Sequence, residues 1–585
     1  MGFNFRFLYI FSLIISFLGI IAFIGDYGFT HSKESRTIFD GYYHFVLAVG
    51  LISTATRYYE DKIRFLKNKS FLFDLATVIF TIVIYYFHFL SPFHGQLDHF
   101  FANRYWVIFT VVLTFIREFS DLKINFNRTV LNPAQLFISS FIAIILIGSY
   151  LLTLPKATVH GIDFIDALFT STSAVCVTGL AVLNTGSDFT TFGKVIIITL
   201  IQIGGLGILT FASYFSYFFK GGTSYENQLA LSDMTSSKKL GDVFSMLKNI
   251  ILITFGIELF SAALIYSSVD PNLFPSKFHH VFFAIFHAVS AFCNAGFSTS
   301  DASLYDLTFR YNYFLLLVVA FTFIFGGLGF PIVVNILKYL RYKISQIIHF
   351  TSKKNRFYKP WIISLDSRIT LVTTISLTTV ATLLFYIMEY HNTLEEHHSY
   401  FGKFVTSFFA AATPRTAGFN SIDNASMSFP TIMMIFLLMW VGASPQSTGG
   451  GIKTNTFAIA FLNVLSLAKG KSKVEIFRRE VAEISIRRAF AIMTLSLMAI
   501  GLGIMLITFF DPDKNLLDIS FECFSAYSTV GLSLGITADL TAPSKMVLIG
   551  IMFVGRISML SLVIAIVKKA KYKNYQYPKE EITMN

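Results

Sequence analysis

Charge is scarce in this chain. Of its 585 residues only 14% are Asp, Glu, Lys or Arg, while 54% are hydrophobic. Soluble domains carry about 25% charged residues, so the composition points to an integral membrane protein. Cysteine is almost absent: Cys176, Cys293 and Cys523 are the whole complement. Their spacing suits neither a metal cluster nor a disulfide framework, and they read as small apolar packing residues. No G-x-G-x-x-G unit occurs, and no His, Asp and Cys constellation of the kind a membrane-embedded enzyme needs. The apolar stretch from Phe7 to Ile24 lacks a small-residue cleavage site, so it is expected to be a first spanning helix and not a signal peptide. The net charge of +12 is not a nucleic-acid footprint. It is concentrated in a few connecting segments: Arg57 to Lys69, Lys338 to Arg368, Lys469 to Arg488 and the tail from Lys568.

What the sequence does have is a repeated motif. A glycine-centred pentapeptide occurs four times, as Cys176-Val177-Thr178-Gly179-Leu180, Cys293-Asn294-Ala295-Gly296-Phe297, Arg415-Thr416-Ala417-Gly418-Phe419 and Ser528-Thr529-Val530-Gly531-Leu532. The four glycines recur at a nearly even period, and a phenylalanine stands ten positions before each: Phe169, Phe286, Phe408 and Phe521. The period is too long for a solenoid. It fits a unit of helix, short re-entrant helix, glycine turn and helix. Four such units suffice for one pore of fourfold pseudo-symmetry. Non-helical backbone at membrane depth is tolerated only where it is buried in protein or lines water, so the motifs are expected to line a wet path.

Glycine takes positive φ cheaply, which can turn carbonyls toward an axis. The C-terminal end of each short helix would add partial negative charge. No ring of Asp or Glu stands in the motifs, so a charge-ring channel is disfavoured and backbone oxygens are left to replace the hydration shell of a cation. The expected ligands are the carbonyls of Val177, Thr178, Gly179, Asn294, Ala295, Gly296, Thr416, Ala417, Gly418, Thr529, Val530 and Gly531.

Hydropathy places four spanning segments near 7–25, 37–56, 71–91 and 101–117. Four repeats follow, with outer helices near 133–154, 245–268, 368–390 and 486–510. Their re-entrant segments fall near 163–175, 279–292, 401–413 and 517–527, and their inner helices near 191–218, 310–340, 428–467 and 543–567. The expectation is an all-α membrane protein with twelve spanning and four re-entrant helices. Its divisions are 1–125 (N-terminal block), 126–220, 221–345, 346–468 and 469–570 (repeats), and 571–585 (tail). With both termini cytoplasmic, every basic cluster falls inside and every glycine motif outside, as the positive-inside rule requires.

With these motifs, and with Leu151-Leu152-Thr153-Leu154-Pro155, Gln202-Ile203-Gly204-Gly205-Leu206-Gly207 and the run Ser444 to Thr454, residues 130–570 resemble the Trk/Ktr/HKT superfamily of potassium transporters. The similarity is specifically to a bacterial Trk or Ktr membrane subunit. The resemblance implies K⁺ as the transported ion, with Na⁺ left open, and the bacterial plasma membrane as the location. It also implies a homodimer with one pore per protomer and a cytosolic nucleotide-binding regulatory subunit, since no nucleotide site is expected in this chain. Nucleic acid is not an expected partner. The basic loop 469–488 suits either docking of that subunit or simple topology-setting charge. The N-terminal block, absent from the shortest family members, is expected to pack around the pore domain.

The inner helix of repeat three is interrupted at 442–452, where Pro445 and three successive glycines cannot continue a helix. By resemblance this is an intramembrane gating loop, with Gly442, Ser444, Gln446, Ser447, Thr448, Gly449, Gly450 and Gly451 as its working residues. Arg556 lies inside the last inner helix, where a charge usually faces a cavity; the resemblance makes it an electrostatic barrier under the filter. Lys453 does not follow a glycine, so the glycine run fails the phosphate-loop spacing. Arg415 is expected to pair with Glu522. Glu258 and His287 read as hydrogen-bonding or packing residues, and Gly326-Gly327-Leu328-Gly329 as a packing face or hinge. A secondary transporter driven by Na⁺ or H⁺ is the alternative, but it predicts inverted repeats and more membrane carboxylates.

Overall fold

In lipid a segment must satisfy its own backbone, and apolar runs of this length do so as helices. The structure, a computed structural model, describes residues 6–60, 68–87, 103–120, 133–207, 242–351, 363–557 and 563. Among them are eighteen α-helices and one two-stranded hairpin (β1, Glu475–Ile476; β2, Arg479–Glu480). The hairpin is a small departure from the all-α expectation. It sits in the basic 469–488 segment, where Lys473 pairs with Glu480 at 3.0 Å and Lys471 with Glu475 at 3.4 Å.

The first block comprises α1 (Arg6–Gly28), α2 (Lys33–Glu60), α3 (Asn68–Tyr85) and α4 (Arg104–Ser120). Tyr43, Val46, Leu47, Ile84, Val107, Ile108 and Val111 form its core. Its buried charges are paired, as burial demands. Arg57 and Arg117 both meet Glu118, and Arg104 reaches Asp26 at 2.9 Å and Asp40 at 2.7 Å.

Four units of outer, short and inner helix follow. The outer helices are α5 (Pro133–Leu152), α8 (Asp242–Ser268), α12 (Leu365–Met388) and α16 (Glu483–Phe510). The short ones are α6 (Phe164–Val175), α9 (Lys277–Phe292), α13 (Tyr400–Ala412) and α17 (Leu516–Ser528). With 12 to 16 residues each, they reach about 18–24 Å, short of a hydrocarbon core of about 30 Å. The inner helices are α7 (Thr191–Leu206), α10 (Tyr313–Leu328), α14 (Phe429–Trp440) and α18 (Ala542–Ile557).

Two inner segments are interrupted, one where an unbroken helix is expected and one at the 442–452 interruption that the sequence implies. The 310–340 segment breaks at Gly329, whose φ is +86°. There the chain turns through 106° into α11 (Phe330–Thr351). The glycine cluster is therefore a bend. The 428–467 segment stops at Trp440 and resumes as α15 (Thr454–Ala468). The expected continuations of α7 to 218 and of α18 to 567 lie almost wholly outside the described residues. Five helices among those described are long and apolar enough to cross a membrane, up to six if the α10–α11 pair, bent by 106°, is counted as one span. The remaining expected crossings fall on shorter helices or on residues outside those described.

The phenylalanine register also needs a correction. Phe169, Phe286 and Phe521 are fully buried at position −10 from their glycines. In the third unit the fully buried ring is Phe409, at −9, while Phe408 is only partly buried beside it. The third unit is thus one position shorter between its buried ring and its glycine, and Phe408 matched the pattern by adjacency.

Candidate functional site

The four glycine turns meet. Gly179, Gly296, Gly418 and Gly531 have φ of +90°, +69°, +79° and +93°, a region where a side chain is strained. A methyl group on Gly179 would collide with the carbonyl oxygen of Ala295, one on Gly296 with that of Ala417, one on Gly418 with that of Val530, and one on Gly531 with that of Thr178. Each glycine therefore abuts the oxygen that precedes the next unit's glycine, and the sequence of contacts closes on itself. The residue two before each glycine also has positive φ: Val177 (57°), Asn294 (61°), Thr416 (72°) and Thr529 (50°).

The amides at this level are used elsewhere. The N–H of Thr178 donates to Ser173 O at 2.7 Å and that of Ala295 to Ser290 O at 2.7 Å. The N–H of Ala417 donates to Thr413 O at 2.9 Å and that of Val530 to Ser525 O at 2.9 Å. The short helices thus take the donors and leave the acceptors facing the ring. Hydroxyls on the same helices brace the turns. Ser173, Ser290 and Thr413 donate to Leu180, Phe297 and Phe419 O at 2.7, 2.7 and 2.8 Å, and Ser525 accepts from Gly531 N at 3.1 Å. This set of hydroxyls, at −6 in three units and −5 in the third, was readable in the sequence and would have exposed the register slip.

All four glycines line one cavity of about 310 Å³, together with Asn184, Asp301, Asn420 and Ser533. Beneath the ring lies the broken segment of unit three. A side chain on Gly449 would strike Thr416, and one on Gly450 would strike Thr529. The Thr448 hydroxyl donates to Asn294 Oδ1 at 2.9 Å and Phe292 O at 3.1 Å. The segment thus touches Asn294, Thr416 and Thr529, the equivalent positive-φ positions of three units. Ser444 N donates to Gly327 O at 3.0 Å, and Phe330 N to Gln446 O at 3.3 Å. Ser447 donates back to Ser444 O at 2.6 Å.

Gly204, Gly326 and Gly555 press against the carbonyls of Val175, Phe292 and Tyr527, which hold equivalent places one helical turn before their ring glycines. Gly442 presses instead on Gly450 O, within the loop itself. Gly326 lies farther beyond Gly296 than Gly204 lies beyond Gly179, because the intervening outer turn is longer.

Two partly buried cations hold the loop. Arg556 donates from Nη1 to Thr448 O and from Nη2 to Gly204 O at 2.5 Å. Lys453 donates to Gly449 O at 2.7 Å. The sequence reading missed Lys453, although the rule that drew attention to Arg556 covers it equally. The expected Arg415–Glu522 pair is absent. Arg415 lies 3.4 Å from Gly442 O and 3.5 Å from Thr454 Oγ1, while Glu522 accepts from Ser533 and, at 3.0 Å, from Thr537. Opposite sign had suggested the pair, but Glu522 lies inside α17 while Arg415 lies beyond the end of α13, against the loop. Glu258 accepts from Gln202 at 3.0 Å, and His287 bonds Ser298 Oγ at 2.9 Å, as hydrogen-bonding residues.

The buried hydroxyls of Thr178 and Thr529 have no hydrogen-bond partner among the described residues. The Thr529 hydroxyl lies on the loop side, where a side chain on Gly450 would meet it. A family model described as TrkH, cation transport protein, matches residues 99–576. The chain belongs to the TrkH family of cation transport proteins. Among similar proteins, the Ktr system potassium uptake protein B of Bacillus subtilis is 37% identical over 77% of this chain and 96% of its own length. The potassium/sodium uptake protein NtpJ of Enterococcus hirae is 35% identical over 78% of this chain and 98% of its own. The fold resembles the crystal structure of the potassium transporter TrkH from Vibrio parahaemolyticus, with TM-score 0.58 and 16% identity over 85% of this chain and 97% of that one.

Proposed function

We propose that the protein mediates potassium uptake across a bacterial plasma membrane through a filter formed by the four glycine turns. The observation that carries this reading is the closed cycle in which each glycine meets the next unit's carbonyl. A cation leaving the cavity above exchanges water for the oxygens of residues 177–179, 294–296, 416–418 and 529–531. The ends of the four short helices add negative partial charge below them. The loop from Gly442 to Ile452 is the gate. Closed, it is held by Arg556, Lys453 and Thr448, and the two cations oppose an ion descending from the filter. Open, it retracts and frees those bonds. The units have parallel topology, the termini are cytoplasmic, and the chain works as a homodimer with a cytosolic nucleotide-binding subunit controlling the loop. Relatives with potassium uptake names and the similarity over most of both chains support the reading.

The test is Rb⁺ uptake into liposomes holding the purified chain, without ATP and without a proton gradient. Uptake driven by the Rb⁺ gradient alone is expected. No uptake by a folded, reconstituted protein would refute the channel-like reading, and uptake only with a Na⁺ or H⁺ gradient would establish the coupled alternative.

A further inference from the structure

Helix α11 is built to lie on a membrane. It leaves the bend at Gly329 at 106° to α10, not far from perpendicular. Its depth can be placed from two neighbours. The sixteen residues of α10 descend about 24 Å, most of a core of about 30 Å. The Asn335 amide of α11 then donates to Ser367 Oγ at 3.2 Å, in the first turn of the full-length α12. So α11 runs at the level where α12 enters the bilayer.

Its side chains sort by direction. Asn335, Tyr339 and Gln346 are partly covered and lie on one side of the helix. Leu337, Leu340 and Ile344 lie on the opposite side and are about half exposed, at 50%, 48% and 56%. Lys338 and Arg341 border that apolar stripe on one flank and Lys343 on the other, all exposed. An apolar stripe flanked by long basic side chains is the pattern of an interfacial helix, with the charges at headgroup level. A soluble partner would not require the apolar stripe to face sideways, away from the protein. An anionic lipid leaflet satisfies both the stripe and the charges.

We propose that α11 binds anionic phospholipid through Lys338, Arg341 and Lys343, and that this binding favours opening of the loop. The mechanical link is short. Phe330, the first residue of α11, donates its N–H to Gln446 O at 3.3 Å, and Gly329 packs against Pro445 O. Drawing α11 outward into the headgroups loosens those contacts. The inference rests on the uptake reading and on the cytoplasmic placement of the basic clusters.

Two measurements separate its failure from that of the uptake reading. In the first, an environment-sensitive fluorophore is placed on Leu340→Cys or Ile344→Cys of the full chain in liposomes with brominated lipid tails. Quenching by the tails is expected. Quenching by aqueous iodide alone, or cross-linking of the introduced cysteine between copies, would overturn the assignment. In the second, Rb⁺ uptake is compared between phosphatidylcholine vesicles and vesicles with added phosphatidylglycerol. The wild type should be roughly threefold faster with anionic lipid, and the combined Lys338→Gln, Arg341→Gln, Lys343→Gln variant should show a ratio of about one with unchanged uptake in neutral lipid. Equal wild-type rates in both lipids, or a variant that keeps the ratio, would overturn it. Absence of Rb⁺ uptake in every vesicle would instead refute the uptake reading, and the quenching result would still decide the position of α11.

Discussion

Replacing Gly296 by alanine tests the ring most directly. The added carbon would sit 2.9 Å from Ala417 O, 2.9 Å from Gly418 Cα and 3.0 Å from Gly418 C, all backbone atoms. Ordinary contact begins near 3.4 Å, so the facing turn must retreat by about half an ångström. Alanine also resists the φ of +69° found there, at about 1–2 kcal/mol. If that strain is released by shifting the Ala417 carbonyl, the oxygens no longer match the ion they were spaced for. A change of about 1–2 kcal/mol in relative ion free energy is a factor of roughly 5 to 30 in preference. The assay is Rb⁺ uptake in liposomes with graded external Na⁺, giving the K⁺-like over Na⁺ preference. The control is Gly535→Ala, whose φ is +104° but whose added carbon meets nothing within 4 Å. Both variants carry backbone strain beside the same cavity, and only Gly296→Ala touches a ring carbonyl. Equal selectivity loss in both, or none in a folded Gly296→Ala protein, would refute the ring argument.

Arg556→Gln should raise Rb⁺ uptake at least tenfold, because it removes a charge and at least one of two bonds to Thr448 O and Gly204 O, each worth roughly 1.5–3 kcal/mol; unchanged or lower uptake would show that Arg556 does not hold the loop closed. Phe409→Ala should destabilise by about 3–5 kcal/mol, read by thermal unfolding in detergent, and Phe408→Ala by clearly less; the reverse order would restore the −10 register. In the outer turn, burial keeps His397 below the usual histidine range, where it meets Tyr313 at 3.2 Å and Thr406 at 3.3 Å. The unfolded chain therefore binds this proton more readily, so the contribution is complete above about pH 6.5 and falls as the pH drops toward the folded value. Unfolding temperature followed from neutral to mildly acidic pH should decline less in His397→Gln than in wild type.

Much of the site was legible because glycine spacing is insensitive to side-chain detail. The four turns, the broken third inner helix and Arg556 each break a local rule, a helix former missing or a charge in an apolar run, and such breaks are visible without coordinates. What was not legible depends on depth and direction. The Arg415–Glu522 pair failed because sign was compared and height was not. Phe408 fits the −10 spacing beside the buried Phe409 because a spacing pattern is blind to a slip of one position. The bend at Gly329 was foreseen as a hinge or a packing face, yet the segment was drawn straight to position 340, since hydropathy does not register a change of axis. Sequence alone sets Lys453 only against a nucleotide motif, whereas its bond to Gly449 O is what gives it a role.

The cycle Gly179, Gly296, Gly418, Gly531 is closed by one polypeptide, not by four copies of one. A mutation in a homotetrameric assembly lands on every quadrant at once, so change is all or nothing. Here each substitution alters a single quadrant, and the neighbours stay as they were. Evolution can therefore adjust such a ring in increments, and it can let one unit alone carry an extra loop, as the third does with the stretch from Gly442 to Ile452.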